Sequence, residues 1–182
     1  MRRTFFTPVL VAVMGVTAAL ILPAVAQAAT GPSTDTTTTF DVNGGLLTIT
    51  TPDTAALGTV PIGAPTVSAA LGSVIVDDER GTLGGSWTAS VISTDFTTGG
   101  AAPAETVPAA SVAYAPGAAT ATTGTGTFTP GPGGAMDTSQ TAFSATATTG
   151  VTTVHWDPTI TVTLRAGIVA GTYTGTITHS VA

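Results

Sequence analysis

Two stretches near the C-terminus alternate with a strict period of two. Ile160, Val162 and Leu164 interleave with Thr159, Thr161 and Thr163. Tyr173, Gly175, Ile177, His179 and Val181 interleave with Thr172, Thr174, Thr176 and Thr178. Successive side chains of a strand point to opposite faces, so each stretch presents one apolar face and one threonine face. That is how a half-buried antiparallel strand reads, and β-branched threonine suits the solvated side of a pleated sheet. The Ala166–Gly171 turn region between them predicts that the two strands pair as a hairpin.

Composition extends this reading to the whole chain. Of 182 residues, 41 are threonine, 22 glycine and 12 proline, while only 8% are charged. Threonine, glycine and proline form helices poorly, which argues against a helical bundle. There is no cysteine, which excludes a disulfide scaffold or a cysteine-based zinc module. Four arginines and no lysine cannot form the basic face that nucleic-acid binding needs. A hydrophobic fraction of 43% is too high for charge-driven disorder. What remains is an all-β chain, expected as a single antiparallel β-sandwich of Ig-like or Greek-key type, with no cofactor.

The N-terminus reads as an export signal. Arg2 and Arg3 precede an uncharged run from Val9 to Ala26, Pro23 interrupts it, and Ala26-Gln27-Ala28 supplies the small residues of a cleavage site. Cleavage is expected after Ala28; an uncleaved anchor is the alternative, since the run is long enough to span a bilayer. Removing residues 1–28 takes away two of the four cations and moves the net charge from −6 to −8. Residues 29–37 then read as a flexible leader and 38–182 as the domain. A secreted or cell-surface location follows, with no membrane contact after cleavage.

Short runs punctuated by Gly, Pro, Asn and Asp predict the strands. Thr38–Val42 and Leu46–Thr51 flank Asn43-Gly44-Gly45, a hairpin signal. Val67–Val76 reads as one long apolar run. Ser86–Ser93 places Trp87, Ala89 and Val91 on one face. Thr97–Pro108 reads as a loop. Ala110–Tyr114 and Ala121–Phe128 are further strands, and Gln140–Ala147 and Val151–Trp156 are separated at Thr149-Gly150.

Few residues invite chemistry. In His155-Trp156-Asp157 the outer two share a strand face, but two ligands are too few for a closed metal site, and a structural role is favoured. Asp77-Asp78-Glu79 beside Arg80 predicts a local salt bridge or strand-end turn, with weak calcium binding helped by Asp53 or Asp95 as the alternative. No Gly-x-Ser-x-Gly elbow or phosphate-binding glycine pattern occurs, so no enzyme is expected. Among the aromatics, Trp87 and Tyr173 lie on the apolar side of alternating strands, which favours burial. A sugar-stacking platform would need two or three aromatics in solvent.

Two short stretches carry a resemblance. Val76-Asp77-Asp78-Glu79-Arg80-Gly81, running through Gly84-Gly85-Ser86-Trp87 into Thr88–Val91, resembles the first motif of WxL-type surface domains of Gram-positive bacteria. Tyr173-Thr174-Gly175-Thr176-Ile177-Thr178-His179-Ser180-Val181 resembles the second. Ala89 stands where the family has Leu, His179 where it has Trp, and Val181 where it has Leu. The chain thus looks like a degenerate member of an actinobacterial kind. The resemblance implies an exported domain held non-covalently on cell-wall polymer, in particular peptidoglycan. Trp87, Tyr173, Trp156, Asp78 and Arg80 are the candidate ligand contacts. The partners are then wall polymer or other surface proteins. A structural or adhesive subunit that assembles through uncharged strand edges is the rival expectation.

Overall fold

The computed structural model describes Gly31 and residues 34–182. The expected signal segment and its cleavage site lie outside the described residues. The chain divides into a unit ending at Phe40 and a compact unit Asp41–Ala182. Residues 34–40 of the first unit are exposed and carry no regular structure.

The compact unit is an all-β, antiparallel sandwich-like fold, as the alternating stretches predicted. Its twelve strands are β1 Leu47–Thr50, β2 Thr66–Ala70, β3 Val74–Asp78, β4 Leu83–Ser93, β5 Phe96–Thr97, β6 Thr106–Val107, β7 Val112–Ala115, β8 Ala119–Pro130, β9 Gly134–Ala135, β10 Gln140–Trp156, β11 Thr159–Thr163 and β12 Ile177–Val181. The larger sheet is organised around β10, a strand of 17 residues. One edge of β10 pairs with β8 along most of its length. The other edge pairs first with β4 and then with β3, which lead outward to β12 and β1 respectively. The second sheet has the order β2-β11-β7-β9, and β5 and β6 form a small separate ladder.

The apolar faces of both sheets meet in one core. Val74 and Val76 of β3, Trp87, Ala89 and Val91 of β4, and Phe143, Val154 and Trp156 of β10 pack with Val112, Tyr114, Ile160 and Val162 of the second sheet. The alternation read in Ser86–Ser93 is present: Trp87, Ala89, Val91 and Ser93 are buried, while Thr88 and Ile92 are exposed. Phe143 and Trp156 stack with ring centroids 4.9 Å apart. Trp156 Nε1 donates to the Tyr114 hydroxyl at 2.9 Å, which ties the two sheets together through a buried polar contact.

Four local expectations are corrected. The alternating stretches 159–164 and 172–181 do not form a hairpin. β11 pairs with β2 and β7, whereas β12 pairs with β4, so the connection carries the chain from one sheet to the other. Each apolar face is covered from the opposite sheet, which satisfies the same periodicity. The run Val67–Val76 is two strands in different sheets, divided where Gly72 adopts φ +100°, a conformation that favours glycine. Thr149-Gly150 does not end a strand; β10 continues through it with bulges. Finally, Thr38–Val42 is not a strand, and Asn43-Gly44-Gly45 is not a hairpin turn. Gly45 N–H donates to the Glu79 carbonyl and Glu79 N–H to that of Leu46, so this segment extends the β1–β3 contact. A Cβ on Gly44 would run into the Arg80 carbonyl. The glycines permit close backbone approach rather than chain reversal.

Candidate functional site

A cleft of about 730 Å³ opens at the end of the sandwich where β4 finishes and β12 begins. One wall is the connection between β1 and β2, residues 55–63. The other is the connection between β11 and β12, residues 168–175. The floor is apolar, formed by Phe96, Val107, Val162 and Leu164. An adjoining groove of about 300 Å³ shares Leu57, Phe96 and Gly175 with it and continues past Pro52. None of the described residues lining the larger cleft is charged.

Sequence explains why the first wall is a loop. Gly58 and Gly63 adopt φ of +95° and +89°, and Pro61 lacks an N–H donor. Ala64 N–H donates to the Pro61 carbonyl at 3.1 Å, forming a tight turn, and Ile62 at its apex is 68% exposed. The second wall is held by Tyr173. Its hydroxyl lies 2.9 Å from the Val169 carbonyl and 3.3 Å from that of Ala104.

The five predicted contact residues fall in different places. Trp87 and Trp156 are buried at 2% and 0% exposure, so neither offers a stacking face to solvent. They are core residues. Tyr173 is half-buried and lines the cleft, packed against the core. Asp78 and Arg80 form the local salt bridge that their spacing predicted, at the end of the sandwich opposite the cleft. Arg80 Nε donates to Asp78 Oδ1 at 2.8 Å and Nη2 to Oδ2 at 2.9 Å. Nη2 also donates to the Ser86 carbonyl at 2.9 Å. Asp78 follows Val74 and Val76 on the inner face of β3 and is only 1% exposed. The Arg80 hydrogen bonds hold its carboxyl below the usual aspartate range, against the opposing effect of burial, and Asp78 raises the Arg80 guanidinium in return.

The acidic triplet does not converge. Asp77 points to the face opposite Asp78, where it accepts a 2.8 Å hydrogen bond from the Thr153 hydroxyl. Asp95 accepts from the Ala109 N–H at 2.8 Å instead. Among the described residues, no three His, Asp or Glu side chains lie close enough to hold a metal ion. His155 is half-buried and Asp157 exposed on either side of buried Trp156.

His179 belongs to the core network. Its Nε2 lies 3.2 Å from the Tyr114 hydroxyl, and the rings meet edge-on at 5.6 Å. The Tyr114 hydroxyl accepts from the Trp156 N–H and meets the His179 ring nitrogen, so one oxygen joins the indole and the imidazole. Burial pushes the His179 pKa down to about 4 and the Tyr114 pKa up to about 12, the latter partly opposed by the indole hydrogen bond.

No family model matches this chain, and neither a curated protein nor a solved structure does. The cleft is not among the features predicted from the sequence. The available signal was Ala55-Ala56-Leu57 and Val60-Pro61-Ile62, an apolar stretch without strand periodicity in a loop rich in turn residues. Among the described residues, no helix is long and apolar enough to cross a membrane.

Proposed function

We propose that this chain is an exported, non-catalytic domain of the cell envelope that binds neutral cell-wall polymer, the glycan of peptidoglycan, non-covalently. The observation that carries the reading is the uncharged cleft between residues 55–63 and 168–175, with Phe96 and Tyr173 in its lining. An acidic domain is repelled by anionic polymer, and an uncharged site gives a charged ligand no ion pair in return for its lost hydration. A sugar ring has apolar faces that suit aromatic and aliphatic walls, and its hydroxyls can meet the free backbone of the loops. The contact region therefore moves from Trp87, Trp156 and Asp78 to the cleft, and Tyr173 is kept. Arg80 serves closure of the opposite end.

Retention on purified peptidoglycan, with and without chelator, tests this. Wild type and a Leu83→Asp control at the far end are expected to be retained equally, and Ile62→Asp at the cleft rim to be lost from the pellet. Equal retention of both variants, or none of the wild type, overturns the reading. A second reading, a structural or adhesive subunit, is favoured by β8. This strand of 12 residues carries no charged side chain and, among the described residues, pairs on one side only. Light scattering at high concentration separates the two, since a strict monomer rules out edge assembly.

A further inference from the structure

The floor and the walls of the cleft offer different chemistry. Val107 and Val162 at the floor are 2% and 3% exposed, and Phe96 and Leu164 are half-buried beside them. None of the four side chains can form a hydrogen bond. The Phe96 ring lies close against the backbone that leads into β12. A Cβ on Gly175 would come within 2.6 Å of its Cδ2, so the glycine leaves the space that the ring occupies.

The polar groups belong to the walls. Thr59, Thr172 and Thr174 line the cleft as exposed residues. The Tyr173 hydroxyl is already engaged by the carbonyls of Val169 and Ala104. Residues 55, 56 and 58–60 are exposed, and among the described residues their peptide groups bond to no other backbone. One wall therefore presents amide N–H and C=O groups beside an apolar surface.

A sugar that carries only hydroxyls uses such a floor badly. Each hydroxyl turned toward it gives up water and gains no partner. An acetamido substituent meets the conditions better. It is uncharged, its methyl group is apolar, and its N–H and C=O are the groups that peptide backbone pairs with. A free amine in its place would bring a charge into a lining that has none to pair with it.

We infer that the cleft selects N-acetylated sugar units, with the acetamido methyl on the apolar floor and the amide against the backbone of residues 55–60. This rests on the glycan reading of the same cleft and names the substituent that is recognised.

Titration calorimetry on the whole protein tests this with two soluble trisaccharides, the β-1,4-linked trimer of N-acetylglucosamine and cellotriose. They differ only in the substituent at carbon 2 of each ring. The acetylated trimer is expected to bind about tenfold tighter or more, the discrimination that one pocketed methyl group supports. Ile62→Asp at the rim should lose that binding, and Leu83→Asp at the far end should keep it. Equal or tighter binding of cellotriose overturns the inference, as does binding of neither sugar by a protein that peptidoglycan retains; the glycan reading survives both results. Acetylated-trimer binding that persists in Ile62→Asp overturns it too, because the acetamide is then recognised elsewhere. A wild type that neither binds the acetylated trimer nor is retained on peptidoglycan overturns both readings.

Discussion

The two ends of this sandwich are built from opposite chemistry. Where β3 finishes and β4 begins, a charged pair closes the core: Asp78 on the inner face, gripped at two oxygens by Arg80, which also reaches the Ser86 carbonyl. Where β4 finishes and β12 begins, the loops stand apart around an uncharged cleft. Beyond residue 28 the chain has two cations, Arg80 and Arg165, so the placement of either is informative. One is used to seal an end. The lesson is that closure and access are assigned to different poles, and that the Asp78–Arg80 ion pair lies at the closed one.

The largest expected effect comes from breaking that seal. Arg80→Ala leaves Asp78 buried without its partner, which should cost about 3 kcal/mol, read as a fall in the urea midpoint at neutral pH. Asp78→Ala/Arg80→Ala should be milder than Arg80→Ala, since it removes the stranded charge. A double variant as unstable as the single one would show that Asp78 is not the source. The pH dependence has a fixed sign. The folded carboxyl is held below its unfolded pKa, so its contribution is complete above the unfolded value and is lost as pH falls through the folded one. Arg80→Ala should lose that acid-sensitive part.

Next in size is the polar contact midway between the poles. Tyr114→Phe leaves the Trp156 N–H and His179 Nε2 without their shared partner and should cost about 2 kcal/mol by denaturant unfolding. His179 sets a second pH effect. Its folded pKa is about 4 against an ordinary 6.5, so between these values the unfolded chain binds more protons. Stability should therefore decline as pH falls from about 6.5 to about 4 and then lose this slope, and His179→Gln should flatten that part of the curve. A flat wild-type curve over this window would contradict a buried neutral imidazole.

What the residues disclosed depended on how local the determining physics was. Period-two alternation identified the faces of Ser86–Ser93 and of Ile177–Val181, because burial of alternate side chains is a property of each strand alone. Pairing was less legible. Stretches 159–164 and 172–181 look like neighbours, yet each apolar face can be covered from either sheet, and nothing local chooses between them. Gly44 and Gly45 have the composition of a turn but answer steric demands from Arg80 and Glu79, far along the chain. The Asp78–Arg80 pair was legible because its partners are two residues apart. Trp87 was correctly assigned to an inner face by its alternation with Thr88. The resemblance to a wall-binding motif nevertheless made it a contact candidate, and only its burial separates the two roles. The cleft was invisible, since its walls come from two loops more than a hundred residues apart.

The smallest effect tests the open pole. Tyr173 joins the cleft wall to the rest of the fold through one hydroxyl, near the carbonyls of Val169 and Ala104. Its ring stays packed in Tyr173→Phe, so the variant removes the hydrogen bond and little else. The Val169 carbonyl lies in an exposed connection, and that of Ala104, in the short 3-10 helix Pro103–Glu105, still accepts from the Val169 N–H, so the loss should be about 1 kcal/mol or less, well below that of Arg80→Ala. Hydrogen exchange gives the sharper reading. The Val169 N–H donates to the Ala104 carbonyl at 3.1 Å, and its protection should fall in Tyr173→Phe while that of Trp156 and Val154 in β10 is unchanged. A local loss of this kind means that the open pole can be loosened without disturbing the core, as a binding cleft at the end of a rigid sandwich requires. If protection instead falls throughout β10, the cleft wall is part of the same cooperative unit as the sealed pole, and the contrast between the two ends is one of chemistry alone.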